Sequence, residues 1–242
     1  MKRTKTGSLT AKWEKVSSKK TVKAIEPKLP KKQDESGSNG LSLALTRKTP
    51  VTFRLSGAEN PKDFELMAFV IRACDKNAAE PFKTVLHVKQ TRRGSRLVAC
   101  DGIRLHVAEI SKKIKSGDYK PHVTKDAITL GEPEKDIEYP EWVKNIPEDA
   151  EKRGVVSLAK SGLGKDREET EKLSIAFNSI VKQTGETINL RHLDDLTKGD
   201  WAVYSPYGDR IKVITLRKQS GKAGETEHKF PVAVIRSIKQ AA

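Results

Sequence analysis

The sequence has few cysteines and no long apolar run. Its 242 residues include two cysteines, Cys74 and Cys100, which stand far apart without a Cys-x-x-Cys or Cys/His spacing. This argues against a disulfide framework or a zinc site and favours a reducing compartment. No apolar stretch approaches the length of a membrane span, and MKRTKTGSLTAKWEKVSSKK at the N-terminus lacks the apolar segment of a signal peptide. We therefore expect a cytoplasmic protein without a membrane partner.

Patterns typical of catalysis are also missing. The stretch SGLGKD at 161–166 lacks the first glycine of a phosphate-binding loop and the Ser/Thr after Lys165. The adjacent acids Asp194 and Asp195 lie beside a predicted turn, where carboxylates are more often solvated than catalytic. None of the histidines shows a metal-ligand spacing; they are His87, His106, His122, His192 and His228. The sequence predicts a protein that is not an enzyme and has no metal and no cofactor.

Positive charge is in excess and is concentrated near the N-terminus. The chain has 47 Lys+Arg and 32 Asp+Glu, a net charge of +15. Residues 1–50 hold 13 and 4 of these, which leaves 34 and 28 for residues 51–242. Because residues 1–45 are rich in Lys, Ser and Thr and poor in large apolar residues, we predict a disordered basic tail. The tail is either a solubilising extension or an arm that adds salt-sensitive affinity for nucleic acid.

Hydrophobic periodicity predicts two units of similar layout. In the first, TPVTFRLSG alternates as a strand, AENPKDFELMAFVIRACDKNAAEP has a helical period up to Pro81, and three strands follow in FKTVLHVKQT, SRLVAC and IRLHVAEI. In the second, RGVVSLAKSG precedes the helix DREETEKLSIAFNSIVKQTG, which Gly185 ends, and further elements follow in TINLRHL, DWAVYSPYGDRIKVITLRK and EHKFPVAVIRSIK.

This pattern predicts an α+β fold of antiparallel sheets with helices on one face. We predict one domain at 46–135 and a second at 154–242. The segment between them, 136–153, is acidic and contains several prolines. It is interpreted as a linker that docks through Tyr139 and Trp142.

Three groups of cations are predicted to be exposed: on the first helix, around the turn TRRGS, and on the second helix. They are Arg72 and Lys76, then Arg92, Arg93 and Arg96, then Lys172 and Lys182. A charged helix face is usually only solvated. The alternative interpretation is that these residues contact the phosphates of DNA.

The dipeptide Asp101-Gly102 interrupts the alternating stretch SRLVACDGIRLHVAEI. Asp-Gly between two alternating runs is a strong signal for a tight hairpin, because the primed turns that match strand twist need positive φ at their central positions. The sequence therefore predicts a hairpin that is followed at once by Arg104 and Leu105.

Two segments resemble the β subunit of bacterial DNA polymerase III, the sliding clamp. LVACDGIRLHVAEI resembles the strand-turn-strand pattern A-T-D-G-H-R-L-A of the middle domain of that family. IEYPEWVKNIP resembles the segment G-x-[FY]-P-D-[FY]-x-x-[VL]-I-P that leads to the last domain. The two occur in the family's order, and the resemblance covers roughly residues 50–217. The stretch from Asp101 to Pro140 is shorter than in the family, so we expect a reduced middle domain.

The resemblance implies DNA-clamp-like domains and a scaffold without chemistry of its own. Members of the family surround duplex DNA with a ring whose inner wall is lined by helices. They act as processivity factors in the cytoplasm at the nucleoid, and tether polymerases and repair proteins through short peptide motifs. The resemblance places the peptide-binding cleft at Gly102, Ile103, Arg104, Leu105, Pro140 and Lys144.

Two interpretations of the hairpin and of the whole chain stay open. Arg104 and Leu105 either line an apolar groove for a peptide with Leu or Phe anchors, or are a rim charge and a core residue. The chain is either a clamp-like, homo-oligomeric DNA scaffold or a basic adaptor of the same fold. Such an adaptor would bind RNA or a ribonucleoprotein through its tail and the arginine-tipped hairpin.

Overall fold

The computed structural model describes residues 52–147, 150–158, 167–206, 213–219 and 230–238. The predicted basic tail, 1–45, lies outside the described residues. The helices are α1 (Pro61–Ile71), α2 (Arg167–Thr184) and α3 (Leu190–Asp194). The strands of the first unit are β1 (Phe53–Ser56), β2 (Leu86–Thr91), β3 (Gly94–Cys100), β4 (Arg104–Ile110), β5 (Gly117–Tyr119), β6 (Pro121–Val123) and β7 (Ala127–Leu130). Those of the second unit are β8 (Ala150–Leu158), β9 (Gly199–Pro206), β10 (Val213–Lys218) and β11 (Val232–Arg236).

An antiparallel sheet of eight strands joins the two units. Its order is β5-β2-β3-β4-β11-β10-β9-β8, so that β4 and β11 meet in the middle and the second unit runs in reverse order. Val107 faces Val232 and Leu105 faces Val234 across this junction. A smaller sheet has the order β1-β7-β6. The division into domains at 46–135 and 154–242 stays a prediction, because the large sheet runs through both units.

The helices pack on one face of the large sheet. Alternate residues of its strands form one core with the apolar sides of α1 and α2, and Phe69 of α1 lies 5.8 Å from Trp201 of β9 between ring centroids. Helix α1 also contacts the small sheet, through Leu55 and Ile128. The predicted fold class, antiparallel sheets with helices on one face, is confirmed.

The first helix ends earlier than its sequence period predicts. Helix α1 stops at Ile71, where turn hydrogen bonds replace helical ones: the Cys74 amide donates to the carbonyl of Ile71 at 2.9 Å. The carboxylate of Asp75 then accepts from the Asn77 amide at 3.0 Å, a local bond that competes with helix formation. The segment Pro81–Thr84 forms a separate 3-10 turn. Arg72 and Lys76 therefore lie beyond the helix rather than on one face of it.

The second helix has the predicted end. Gly185 has a φ of +71°, and its amide donates to the carbonyl of Val181 at 2.8 Å, the geometry of a glycine cap. Within the stretch TINLRHL the chain forms the short helix α3. The side chain of Asn189 begins α3 by accepting from the Arg191 amide at 3.0 Å.

The segment between the units packs on the other face of the large sheet. Trp142 is buried against Val98, Val107 and Val232. The ring of Tyr139 stacks on His87 with 4.5 Å between centroids. The prediction that this segment docks through Tyr139 and Trp142 is confirmed.

Candidate partner-binding cleft

The β3–β4 hairpin is as tight as predicted, but its turn is shifted by one residue. The Asp101 amide donates to the carbonyl of Arg104 at 3.2 Å, so the central residues are Gly102 and Ile103. Only Gly102 of this pair has a positive φ, +89°, which is the pattern of a II′ turn. Asp101 serves instead as a local acceptor: its Oδ1 accepts from the amides of Ile103 at 2.9 Å and Arg104 at 2.8 Å. Its carboxylate therefore fixes the turn that presents Ile103.

A cavity of about 600 Å³ lies beside this hairpin, at the junction of the two units. This is the size of a typical ligand pocket. It is lined by Phe82, Cys100, Gly102, Ile103, Arg104, Leu105, Pro140, Lys144, Asn145, Pro147, Val213, Val234 and Arg236. The six residues that the resemblance assigns to a cleft are all among them. We call this cavity the junction cleft.

The junction cleft has an apolar floor and a basic rim. Leu105 and Val234 are buried and are part of the core beside Trp142, yet both reach the cavity. Ile103 is 53% exposed at the turn. Lys144 and Arg236 add positive charge, and among the described residues no carboxylate lines the cavity. Such a surface suits a segment with apolar anchors more than a small polar substrate.

The guanidinium of Arg104 is held by two carboxylates. Its Nε donates to Asp101 Oδ2 at 2.8 Å, and its Nη1 is ion-paired with Asp195 Oδ2. The side chain is only 16% exposed. By strand alternation Arg104 shares the helix-bearing face with His106, and there it meets Asp195, just after α3. Arg104 is therefore not an exposed rim charge. Its partner Asp195 belongs to the second unit, and no local sequence pattern predicts this contact.

Two thiols and one histidine near the β3–β4 hairpin are held in their neutral forms. Burial raises the pKa of the Cys100 thiol and raises that of Cys74 to about 12. Burial lowers the pKa of His106 to about 3, and the Nδ1–H of this neutral ring donates to the carbonyl of Phe69 at 2.9 Å. A neutral thiol is a poor nucleophile. This arrangement fits binding more than covalent or proton-transfer chemistry.

Several lining residues were not predicted. Phe82 begins the predicted strand FKTVLHVKQT and Cys100 ends the predicted strand SRLVAC, but nothing local marks either as lining a cavity. Val213, Val234 and Arg236 come from β10 and β11 and are distant in sequence. The β4–β11 pairing that brings them to the hairpin is a long-range choice of the fold, and no motif in EHKFPVAVIRSIK signals it.

The seven predicted DNA-binding cations differ in whether their charged groups have partners within the protein. Arg96 donates to Glu109 at 2.6 Å and lies 4.7 Å over the ring of Phe230, and Lys172 is ion-paired with Glu168. Arg72 donates to the carbonyl of Asp195 at 2.8 Å. The remaining four are exposed: Lys76, Lys182, Arg92 and Arg93. Arg92 and Arg93 lie at the β2–β3 turn, Lys76 follows α1 and Lys182 lies on α2, and the assignment of the seven to a DNA-binding surface stays a prediction.

The described residues contain neither a cluster of potential metal ligands nor a membrane-spanning helix. No group of three or more His, Cys, Asp or Glu side chains there is arranged to hold a metal ion. No helix in the same ranges is long and apolar enough to cross a membrane.

The fold defines a class, that of clamp-like α+β proteins. Among solved structures it is similar to the DNA polymerase III β subunit, the sliding clamp, of Pseudomonas aeruginosa. One crystal structure of that subunit matches with a TM-score of 0.51 and 10% identity over 78% of this chain and 66% of that chain. A structure of the clamp with a ligand gives 0.51 and 11% over 79% and 67%, and one bound to griselimycin gives 0.50 and 11% over 80% and 67%.

The chain thus spans about two-thirds of the length of these clamps. No protein-family model and no curated protein matches the sequence. The resemblance that two motifs indicate is confirmed at the level of the fold.

Proposed function

We propose that the chain is a non-enzymatic, clamp-like scaffold that binds duplex DNA and holds replication or repair proteins through short peptide segments. The observation that carries the proposal is the junction cleft. Its apolar floor, exposed Ile103 and basic rim suit an extended peptide with Leu or Phe anchors. The fold supports the same function by analogy with sliding clamps.

The position of the cleft supports a tethering role. It lies where β4 of one unit pairs with β11 of the other, so both units contribute to its wall. Arg104 and Asp195 tie the units together beside it. A peptide bound there would contact both units without any rearrangement of the sheet. We further propose that copies assemble into a ring around DNA, as the resemblance implies.

The test is a substitution at the exposed turn. Ile103→Glu should weaken binding of a short peptide with Leu and Phe anchors by at least about tenfold, because it places a charge among the apolar contacts. Calorimetry with the full chain measures the affinity. The matched control is Ile175→Glu, since Ile175 is also exposed, at 63%, but lies on α2 away from the cleft.

Both variants should unfold near the wild-type midpoint, because neither side chain is buried. Equal peptide affinity for wild type and Ile103→Glu would remove the cleft from the proposal. The alternative, a basic adaptor that binds RNA or a ribonucleoprotein, would then be preferred.

A further inference from the structure

One corner of the described fold carries six cations supplied by two short segments. The segments are 89–93, at the β2–β3 turn, and 112–115, between β4 and β5, and neither contains an acidic residue. All six side chains are exposed: Lys89, Arg92, Arg93, Lys112, Lys113 and Lys115. We call this surface the basic corner.

Hydrogen bonds hold the two segments side by side. The Ile114 amide donates to Ser95 Oγ at 2.7 Å, and the Gln90 amide donates to Ser116 Oγ at 2.9 Å. Gly94 permits this approach, because a Cβ there would collide with the carbonyl oxygen of Ile110. The turn and the loop therefore form one continuous surface.

The backbone of the basic corner is fixed from beneath. The buried carboxylate of Asp63 accepts from Ser111 Oγ at 2.6 Å and from the amides of Ser111 and Lys112, each at 3.2 Å. Tyr119 donates its hydroxyl to the carbonyl of Lys115 at 2.7 Å. A preorganised backbone lowers the entropy lost when a ligand binds.

The charges of the basic corner are available, whereas three of the five other predicted DNA-binding cations have partners. Within the described ranges none of the six forms an ion pair. In contrast, Arg96, Lys172 and Arg72 have their partners in Glu109, Glu168 and the carbonyl of Asp195. Helix α2 also carries Glu168 and Glu171 on its exposed surface, which reduces its attraction for phosphate.

We propose that the basic corner binds the phosphate backbone of duplex DNA. Unpaired Lys and Arg side chains supply sequence-independent affinity for phosphate. The two segments contain no aromatic residue, so they lack the stacking that single strands use. Neither segment contains an exposed large apolar side chain for insertion into a membrane. The inference rests on the proposed scaffold function and adds a DNA contact at the β2–β3 turn and at the loop between β4 and β5.

Lys113 and Lys115 also line a small cavity together with Thr52 and Glu132, so one carboxylate lies at the margin of the basic corner.

The test removes the three loop lysines from the full chain. Lys112→Ala, Lys113→Ala and Lys115→Ala together should lower the slope of log affinity against log salt by about 2 to 3, at roughly 0.9 for each lost phosphate contact. Affinity for a short duplex at low salt should fall on the order of tenfold. Fluorescence anisotropy over a salt series measures both.

Two further variants make the test specific. Lys62→Ala, Lys125→Ala and Lys198→Ala together remove the same charge from exposed lysines outside the corner, and should leave the slope near wild type. Lys76→Ala with Lys182→Ala tests the exposed cations after α1 and on α2 and should also change the slope little. The inference is overturned if the corner variant matches the control, or if the second variant carries the loss instead.

Other polyanions are compared in the same assay. If the corner variant keeps its duplex affinity but loses binding to polyglutamate or to anionic lipid vesicles, the corner serves another partner and the inference is wrong. Its peptide affinity at the junction cleft should equal that of wild type. If the corner variant binds DNA like wild type, only the basic-corner inference is overturned and the cleft proposal is unaffected. If Ile103→Glu binds the peptide like wild type, only the cleft proposal is overturned.

Discussion

Arg104 shows how a single side chain connects the two units. Its guanidinium is bonded to Asp101 on its own hairpin and to Asp195 of the second unit, and the Arg104 and Asp195 side chains are 16% and 24% exposed. Removing the arginine takes the guanidinium donor from Asp195 and leaves Asp101 with its backbone amide donors only. Arg104→Ala should therefore lower the free energy of unfolding by about 2–3 kcal/mol, which denaturant unfolding measures.

A double-mutant cycle of Arg104→Ala and Asp195→Ala isolates the contact between the units. We expect a coupling energy of at least about 1 kcal/mol. The control is the cycle for Lys144 and Glu141, an ion pair whose side chains are 80% and 73% exposed, where coupling should be about 0.5 kcal/mol or less. Similar coupling in both cycles would mean that Arg104 is solvated after all.

Elements of the fold were predictable where the signal is local. The alternation of β3 and β4 and the glycine end of α2 were read from the sequence. The early end of α1 was not, because an Asx bond at Asp75 outweighs a helical period that continues to Pro81. Pairing of β4 with β11 depends on which faces are apolar in three dimensions, so the sequence does not assign Val213, Val234 and Arg236 to the junction cleft.

Alanine substitutions at two glycines distinguish the stability cost of backbone strain from the cost of a steric collision. Gly185 after α2 has a φ of +71° and open space around its Cβ position, so Gly185→Ala should cost about 1 kcal/mol. A Cβ at Gly94 would meet the Ile110 carbonyl, so Gly94→Ala must move β3 away from β4. We expect a larger cost, about 2–3 kcal/mol, in denaturant unfolding. Equal costs would contradict the close approach at Gly94.

At the scale of the whole molecule, one core and one sheet run through both units. The core contains Met67 and Phe69 of α1 together with Ile180 of α2 and Trp201 of β9. The eight strands share an unbroken ladder through β4 and β11. A core of this kind couples the stability of its parts, because neither unit can lose its packing without exposing apolar surface of the other.

Ile180→Ala tests whether this coupling outweighs the predicted division into two domains. Ile180 is fully buried on α2, so the cavity should cost about 2–4 kcal/mol. If the units unfold together, the free energy of opening measured by hydrogen exchange should fall by the same amount in β3 of the first unit and in β9 of the second. The control is Ile175→Ala on the same helix, where a side chain that is 63% exposed should cost less than about 0.5 kcal/mol. Faster exchange confined to the second unit would show that the two units unfold separately, and that the continuous sheet is an interface between domains.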